Sequence, residues 1–253
     1  MDLTTMILCA IAGFFAQILG GALGMGYGVT CSMILMTFGI PPVFVSASIN
    51  TAELFTGGFT GVLHARMGNV DQTLFRKLLV FGVIGAIVGT FILVQVPGDV
   101  LKPFIAVYLF IVGAIIIYKT INPPQPRVVS TYIRRLGLLG GFCDAIGGGG
   151  WGAIVTSTLL VRGNNPRITI GSVNAARFFV SLVTSIALLA IIPISEVAVM
   201  IIGLILGGML AAPMATLLCS RVPPRTLMGV AGVVILLLSV STMVISITTY
   251  LTV

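Results

Sequence analysis

The sequence predicts an all-α, polytopic membrane protein built from two inverted-topology repeats, and three observations carry that prediction. Hydrophobic residues make up 58% of the 253 and charged residues 8%, with a mean hydropathy of +1.20. Such a balance suits a chain solvated by lipid and exceeds what a water-facing domain needs for its core. The stretch from Gly24 to Phe55 recurs without a gap, 124 residues later, as Gly148 to Phe179. Finally, 11 of the 13 Lys and Arg fall in four of the connections between apolar stretches.

Charges and turn residues divide the chain into apolar segments at 5–20, 27–38, 43–63, 78–96, 103–118, 135–146, 151–161, 168–192, 197–218 and 227–250. Six or more are long enough to cross a bilayer core, which takes about 20 helical residues. They are continuous runs without the alternation of an outer-membrane barrel, so helices in an inner or plasma membrane are expected. Asp2 and the lack of a basic start mark the first segment as part of the mature protein. Segments 27–38 and 151–161 are short, and each follows a glycine cluster. Glycine weakens a helix by roughly 1 kcal/mol per residue relative to Ala, so a break is expected at Gly20 to Gly28 and at Gly147 to Gly152. Each short segment then reads as a half-helix or as the returning arm of a re-entrant hairpin. Irregular backbone of this kind survives in lipid only where protein or a water-filled cavity satisfies it.

Orientation follows from the basic connections. Arg66, Arg76 and Lys77; Lys119, Arg127, Arg134 and Arg135; Arg162 and Arg167; and Arg221 and Arg225 mark four cytoplasmic loops. The turns at Gly39 to Pro42, Pro97 to Lys102 and Pro193 to Glu196 fall outside. Equivalent connections of the two copies therefore have opposite polarity, giving an odd number of crossings per copy: five, or three plus a re-entrant hairpin. Residues 1–121 form the first repeat and 134–253 the second. Residues 122–133 link them, with Pro123, Pro124 and Pro126 preventing helix.

Within the duplicated block, ten of 32 positions are identical. Each copy carries Gly-x-Gly-aromatic-Gly, at Gly24, Gly26, Tyr27 and Gly28 and again at Gly148, Gly150, Trp151 and Gly152, and then Ser-x-Asn-x-Ala. A broken helix offers unpaired N–H groups and a positive dipole end, which suit an anion held near the midplane. Close helix packing is the plain alternative for glycine, and it is the reading for Gly82, Gly85 and Gly89 and for Gly203, Gly207 and Gly208. Ser48, Asn50, Ser172 and Asn174 supply hydroxyl and amide donors, with interhelical bonding as their alternative. Glu53 and Arg177 occupy the same repeat position in apolar surroundings. They read as a buried ion pair, or as a proton-exchanging acid beside a cation for the substrate's charge. Asp144 is the other embedded acid and a candidate for proton coupling. His64, near a helix end, reads as interfacial.

Other chemistry is poorly supported. Cys9, Cys31, Cys143 and Cys219 are scattered without a CxxC pair, so neither a zinc site nor a disulfide framework is expected. There is no GxxxxGK[ST] and no Ser-Lys or paired-Asp constellation, so neither ATP hydrolysis nor an intramembrane enzyme is expected, and no cofactor is implied. The net charge of +7 lies mostly in the basic loops and speaks of topology, not nucleic acid.

The two blocks Gly20-Gly-Ala-Leu-Gly-Met-Gly-Tyr-Gly28 and Asp144-Ala-Ile-Gly-Gly-Gly-Gly-Trp-Gly152, each followed by a Gly/Pro turn and a small-residue helix with a central Asn, resemble the sulfite exporter TauE/SafE family, the TSUP group of permeases. The resemblance covers the whole chain. It implies transport of small sulfur-containing anions such as sulfite, thiosulfate or a sulfonate, driven by an ion gradient. The expected partners are thus a small anion, the lipid bilayer and a coupling proton, with a homo-oligomer left open. An anion channel and a scaffold subunit of a membrane complex are the rival readings.

Overall fold

The structure, a computed structural model, describes residues 3–23, 26–122, 132–162, 164–221 and 224–251. Gly24 and most of the expected linker, 123–131, lie outside the described residues. Every described element is helical: α1 (Leu3–Leu23), α2 (Tyr27–Thr37), α3 (Pro42–Arg66), α4 (Gln72–Gln95), α5 (Gly98–Ile121), α6 (Ile133–Gly147), a π-helical segment (Gly152–Thr156), α7 (Ser157–Val161), α8 (Pro166–Leu189), α9 (Ile194–Arg221) and α10 (Pro224–Leu251). Proline opens α3, α8 and α10, where its missing N–H costs no helical bond. Asp71 caps α4, its Oδ1 accepting the N–H groups of Thr73 at 2.7 Å and Leu74 at 3.1 Å.

Four helical stretches are long and apolar enough to cross a membrane: Gln72–Gln95, Val100–Ile121, Ile168–Leu189 and Ile194–Ala211. The sequence led us to expect six or more, and the described residues give four on length and apolarity. Their outward faces carry large exposed side chains, among them Phe91, Phe104, Ile186 and Leu210. Water would not tolerate so broad an apolar exterior, and lipid favours it.

Inside, α1 packs on α9 and α6 on α4; α3 packs on α8, and α5 on α10. Glycine lets the first two pairs approach closely. A Cβ on Gly203 would lie 2.6 Å from the Met6 carbonyl oxygen, and one on Gly89 2.6 Å from that of Phe142. Gly207 and Gly85 meet the backbones of Ala10 and Leu138 in the same way, so the small-residue packing read for these glycines is what they do.

Two segments fold back. α6 ends at Gly147, Gly148 adopts φ +63°, and the chain returns along α6. Gly140 then faces Val155, and the Arg162 guanidinium carbon lies 5.8 Å from the centre of the Tyr132 ring. α2 likewise lies beside α1, with the Cys31 thiol 3.8 Å from the Ala12 carbonyl oxygen, and Gly26 precedes it at φ +96°. Only glycine takes these left-handed conformations without strain.

Candidate functional site

The ends of both fold-backs meet at the centre of the molecule. A Cβ on Gly28 would lie 2.7 Å from the Gly148 carbonyl oxygen, 2.7 Å from Gly149 Cα and 3.2 Å from Glu53 Oε1. Backbone thus touches backbone, with the Glu53 carboxylate alongside. Glu53 of α3 and Arg177 of α8 form an ion pair there, through Oε1 and Nη2, with the side chains 4% and 14% exposed. Asp144 lies within electrostatic reach of both. A second carboxylate thus lies near the ion pair, in a site screened from solvent.

The end of α6 is held by side chains from the first half of the chain. A helix leaves its last carbonyls without intrahelical partners. Here the hydroxyl of Ser32 donates to the Gly147 carbonyl, that of Ser46 to the Ala145 carbonyl at 2.5 Å, and that of Tyr108 to the Gly149 carbonyl at 3.3 Å. On the returning arm, the Trp151 N–H donates to Asp144 Oδ1 at 2.9 Å, and the Gly150 N–H is directed at the same carboxylate. The Trp151 indole donates to the Val173 carbonyl at 3.1 Å and is fully buried against Gly82 and Gly140. A π-helical turn begins at Gly152, immediately beyond, a distortion frequent at functional sites.

The residues singled out from sequence divide into two groups. Gly28, Gly148, Glu53 and Arg177 converge, and Gly150, Trp151, Gly152 and Asp144 form the second fold-back beside them. Gly26 sets the turn before α2, its carbonyl accepting the Thr30 N–H at 3.0 Å. Others are engaged locally. Asn50 Nδ2 donates to the Ser46 carbonyl at 3.0 Å, and Ser48 Oγ to Met200 Sδ at 3.7 Å. Ser172 Oγ accepts the Asp71 N–H at 2.8 Å, at the capped start of α4. Asn174 sits where α8 crosses α3, its carbonyl oxygen 3.4 Å from a Cβ built on Gly61.

The gap between the two glycine clusters, expected to receive an anion, is closed in this conformation. The Gly150 and Trp151 amides of the second cluster are already turned to Asp144. Buried polar atoms without a hydrogen bond remain around the pair: Glu53 Oε2, Arg177 Nε, Asp144 Oδ2, Asn50 Oδ1 and Ser181 Oγ. Such unmet capacity is costly in a low-dielectric interior, and a bound polar species would relieve it. Ser32, Ser46 and Tyr108 were missed by the sequence reading. The serines meet Thr156 and Ile170 in the second copy, and Tyr108 lies outside the duplicated block, so the identity signal passes over all three.

A model of the family described as Sulfite exporter TauE/SafE matches residues 9–242. The chain belongs to the sulfite exporter TauE/SafE family. A TauE/SafE relative, the probable membrane transporter protein YtnM of Bacillus subtilis (strain 168), is 35% identical over 248 residues, covering 94% of this chain and 83% of its own length. The probable membrane transporter protein ORF9 of a Sinorhizobium species is 31% identical over 150 residues, 56% of this chain and 54% of its own. No solved structure matches. Membership of the TauE/SafE family, together with several apolar helices, makes this a multi-pass membrane protein and a membrane transporter.

Proposed function

We propose that the protein is a secondary transporter for a small sulfur-containing anion such as sulfite, thiosulfate or an organosulfonate, working by alternating access between two inverted repeats. The observation that carries this reading is the meeting of both glycine fold-backs beside the Glu53–Arg177 pair. Discontinuous helices meeting near the midplane are how many such transporters build their sites. The packing supports the repeat plan: exchanging the halves turns α1 on α9 into α6 on α4, and returns α3 on α8 and α5 on α10 to themselves.

Charge argues for proton coupling. With all three ionised, Arg177, Glu53 and Asp144 sum to one positive and two negatives. Adding an anion to that sum without compensation would bury a second uncompensated charge, which is strongly unfavourable. A proton on Glu53 frees Arg177 for the anion and, for a monoanion such as a sulfonate, returns the sum to its starting value; a dianion needs a second proton or a co-transported cation. Parting of Gly28 from Gly148 and Gly149 would open the way to it.

The test is uptake of radiolabelled sulfite, thiosulfate and a small sulfonate into proteoliposomes, with and without an imposed proton gradient. Saturable, gradient-sensitive flux of one anion, abolished by Arg177→Ala in folded protein, is the expected result. Flux without saturation or counterflow would favour an anion channel. Absence of flux for all three would remove the substrate class.

A further inference from the structure

We propose that the open end of the fold-back formed by α6 and α7 binds the headgroup of an anionic phospholipid. This end carries the basic residues that mark the cytoplasmic side. Three cations gather there. The guanidinium carbons of Arg135 and Arg162 each lie 5.8 Å from the centre of the Tyr132 ring, from different arms of the fold-back. Lys119 reaches in from α5, its Nζ 3.2 Å from Ser157 Oγ, and lies within electrostatic reach of Arg162. Among the described residues no carboxylate pairs with any of the three. Like charges held this close repel one another, and an anion placed among them turns that repulsion into attraction.

The geometry selects the anion. Guanidinium forks bind phosphate oxygens bidentately, and Arg135 and Arg162 flank one tyrosine ring and line one cavity, with Lys119 bonded to Ser157, next to the cavity-lining Thr158. Between the arms is a cavity of about 140 Å³ whose remaining wall is mostly apolar, formed by Ile133, Leu136, Leu139 and Leu159 with Thr158. Leu139 is 56% exposed on the outer face of α6 and Tyr132 is 50% exposed at its start. A free hydrated anion makes no use of such a wall. An acyl chain running down α6 from a phosphate held at the basic end would cover it. Basic pockets between helices on the cytoplasmic side are suited to anionic headgroups for this reason.

The test is native mass spectrometry of the purified full chain in detergent, titrated with phosphatidylglycerol and separately with phosphatidylcholine. We expect phosphatidylglycerol to be retained in preference, and its affinity to fall about thirtyfold in Arg135→Gln/Arg162→Gln. The control Arg66→Gln/Arg76→Gln, with both residues exposed at the end of α3 and near the start of α4, is expected to match the wild type. Arg135→Lys/Arg162→Lys keeps the charges and should lose only part of the affinity, and a thermal midpoint of the glutamine variant equal to that of the wild type separates a lost site from a folding defect. Millimolar inorganic phosphate should leave the lipid bound. Equal retention of phosphatidylcholine, unchanged affinity in the glutamine variant, or displacement by phosphate, the sign of a free-anion site, would each overturn the proposal.

Discussion

Removing either partner of the Glu53–Arg177 pair strands a charge where the interior offers little to compensate it. Loss of one member of a buried pair typically costs about 3–5 kcal/mol, whereas replacing both with neutral groups of similar volume costs far less. Glu53→Gln and Arg177→Met alone are therefore expected to lower the thermal midpoint of the purified protein sharply, and the double variant to recover most of it. Additive losses in that cycle would mean that the two side chains do not depend on each other. A methyl group tests the central contact in a different way. Gly28→Ala must push apart backbone atoms 2.7 Å from the new Cβ, at a cost of about 1–3 kcal/mol. Gly57→Ala, inside α3 where a Cβ meets nothing within 4 Å, should be neutral or stabilising by up to about 1 kcal/mol. Equal stability of these two variants would show that the contact at Gly28 is loose.

Among the helices, α6 is the one whose end depends most on others. Ser32→Ala or Ser46→Ala leaves a buried carbonyl of α6 without its donor, an expected loss of about 1–3 kcal/mol each. Hydrogen exchange should rise at residues 145–152 and stay unchanged in α4; protection that is uniform across both would argue against this role. The glycine turns at Gly26 and Gly148 were legible in the sequence, because the cluster that holds them is written twice. Their caps were not. A cap needs a hydroxyl at the right place in space, and Ser32, Ser46 and Tyr108 come from three different helices with no shared spacing. The same limit explains why Ser172 was grouped with the site although its hydroxyl serves the start of α4: equivalence in sequence does not fix what a side chain faces.

For the whole molecule, the inverted-repeat plan we propose makes a statement about sidedness. Lys102, whose Nζ lies 3.4 Å from the Gly39 carbonyl oxygen, and Arg135 should label from opposite faces of the membrane. Single cysteines at these positions in sealed vesicles, probed with an impermeant thiol reagent, are expected to report outside and inside respectively, and labelling from one face would rule the arrangement out. Composition and the duplication carried the helical, membrane-embedded architecture, since lipid imposes apolarity on every outward face. Which helices touch was beyond them, because pairing such as α1 on α9 is decided by small residues meeting across long separations. Synthesis gives the serines at the end of α6 a further meaning. Ser32 and Ser46 leave the ribosome 115 and 99 residues before the carbonyls they cap. The half made first therefore waits, its partners not yet translated, and the docking of one fold-back on the other becomes a late step of maturation. A nascent chain that has not reached Ala145 and Gly147 leaves both hydroxyls without these acceptors.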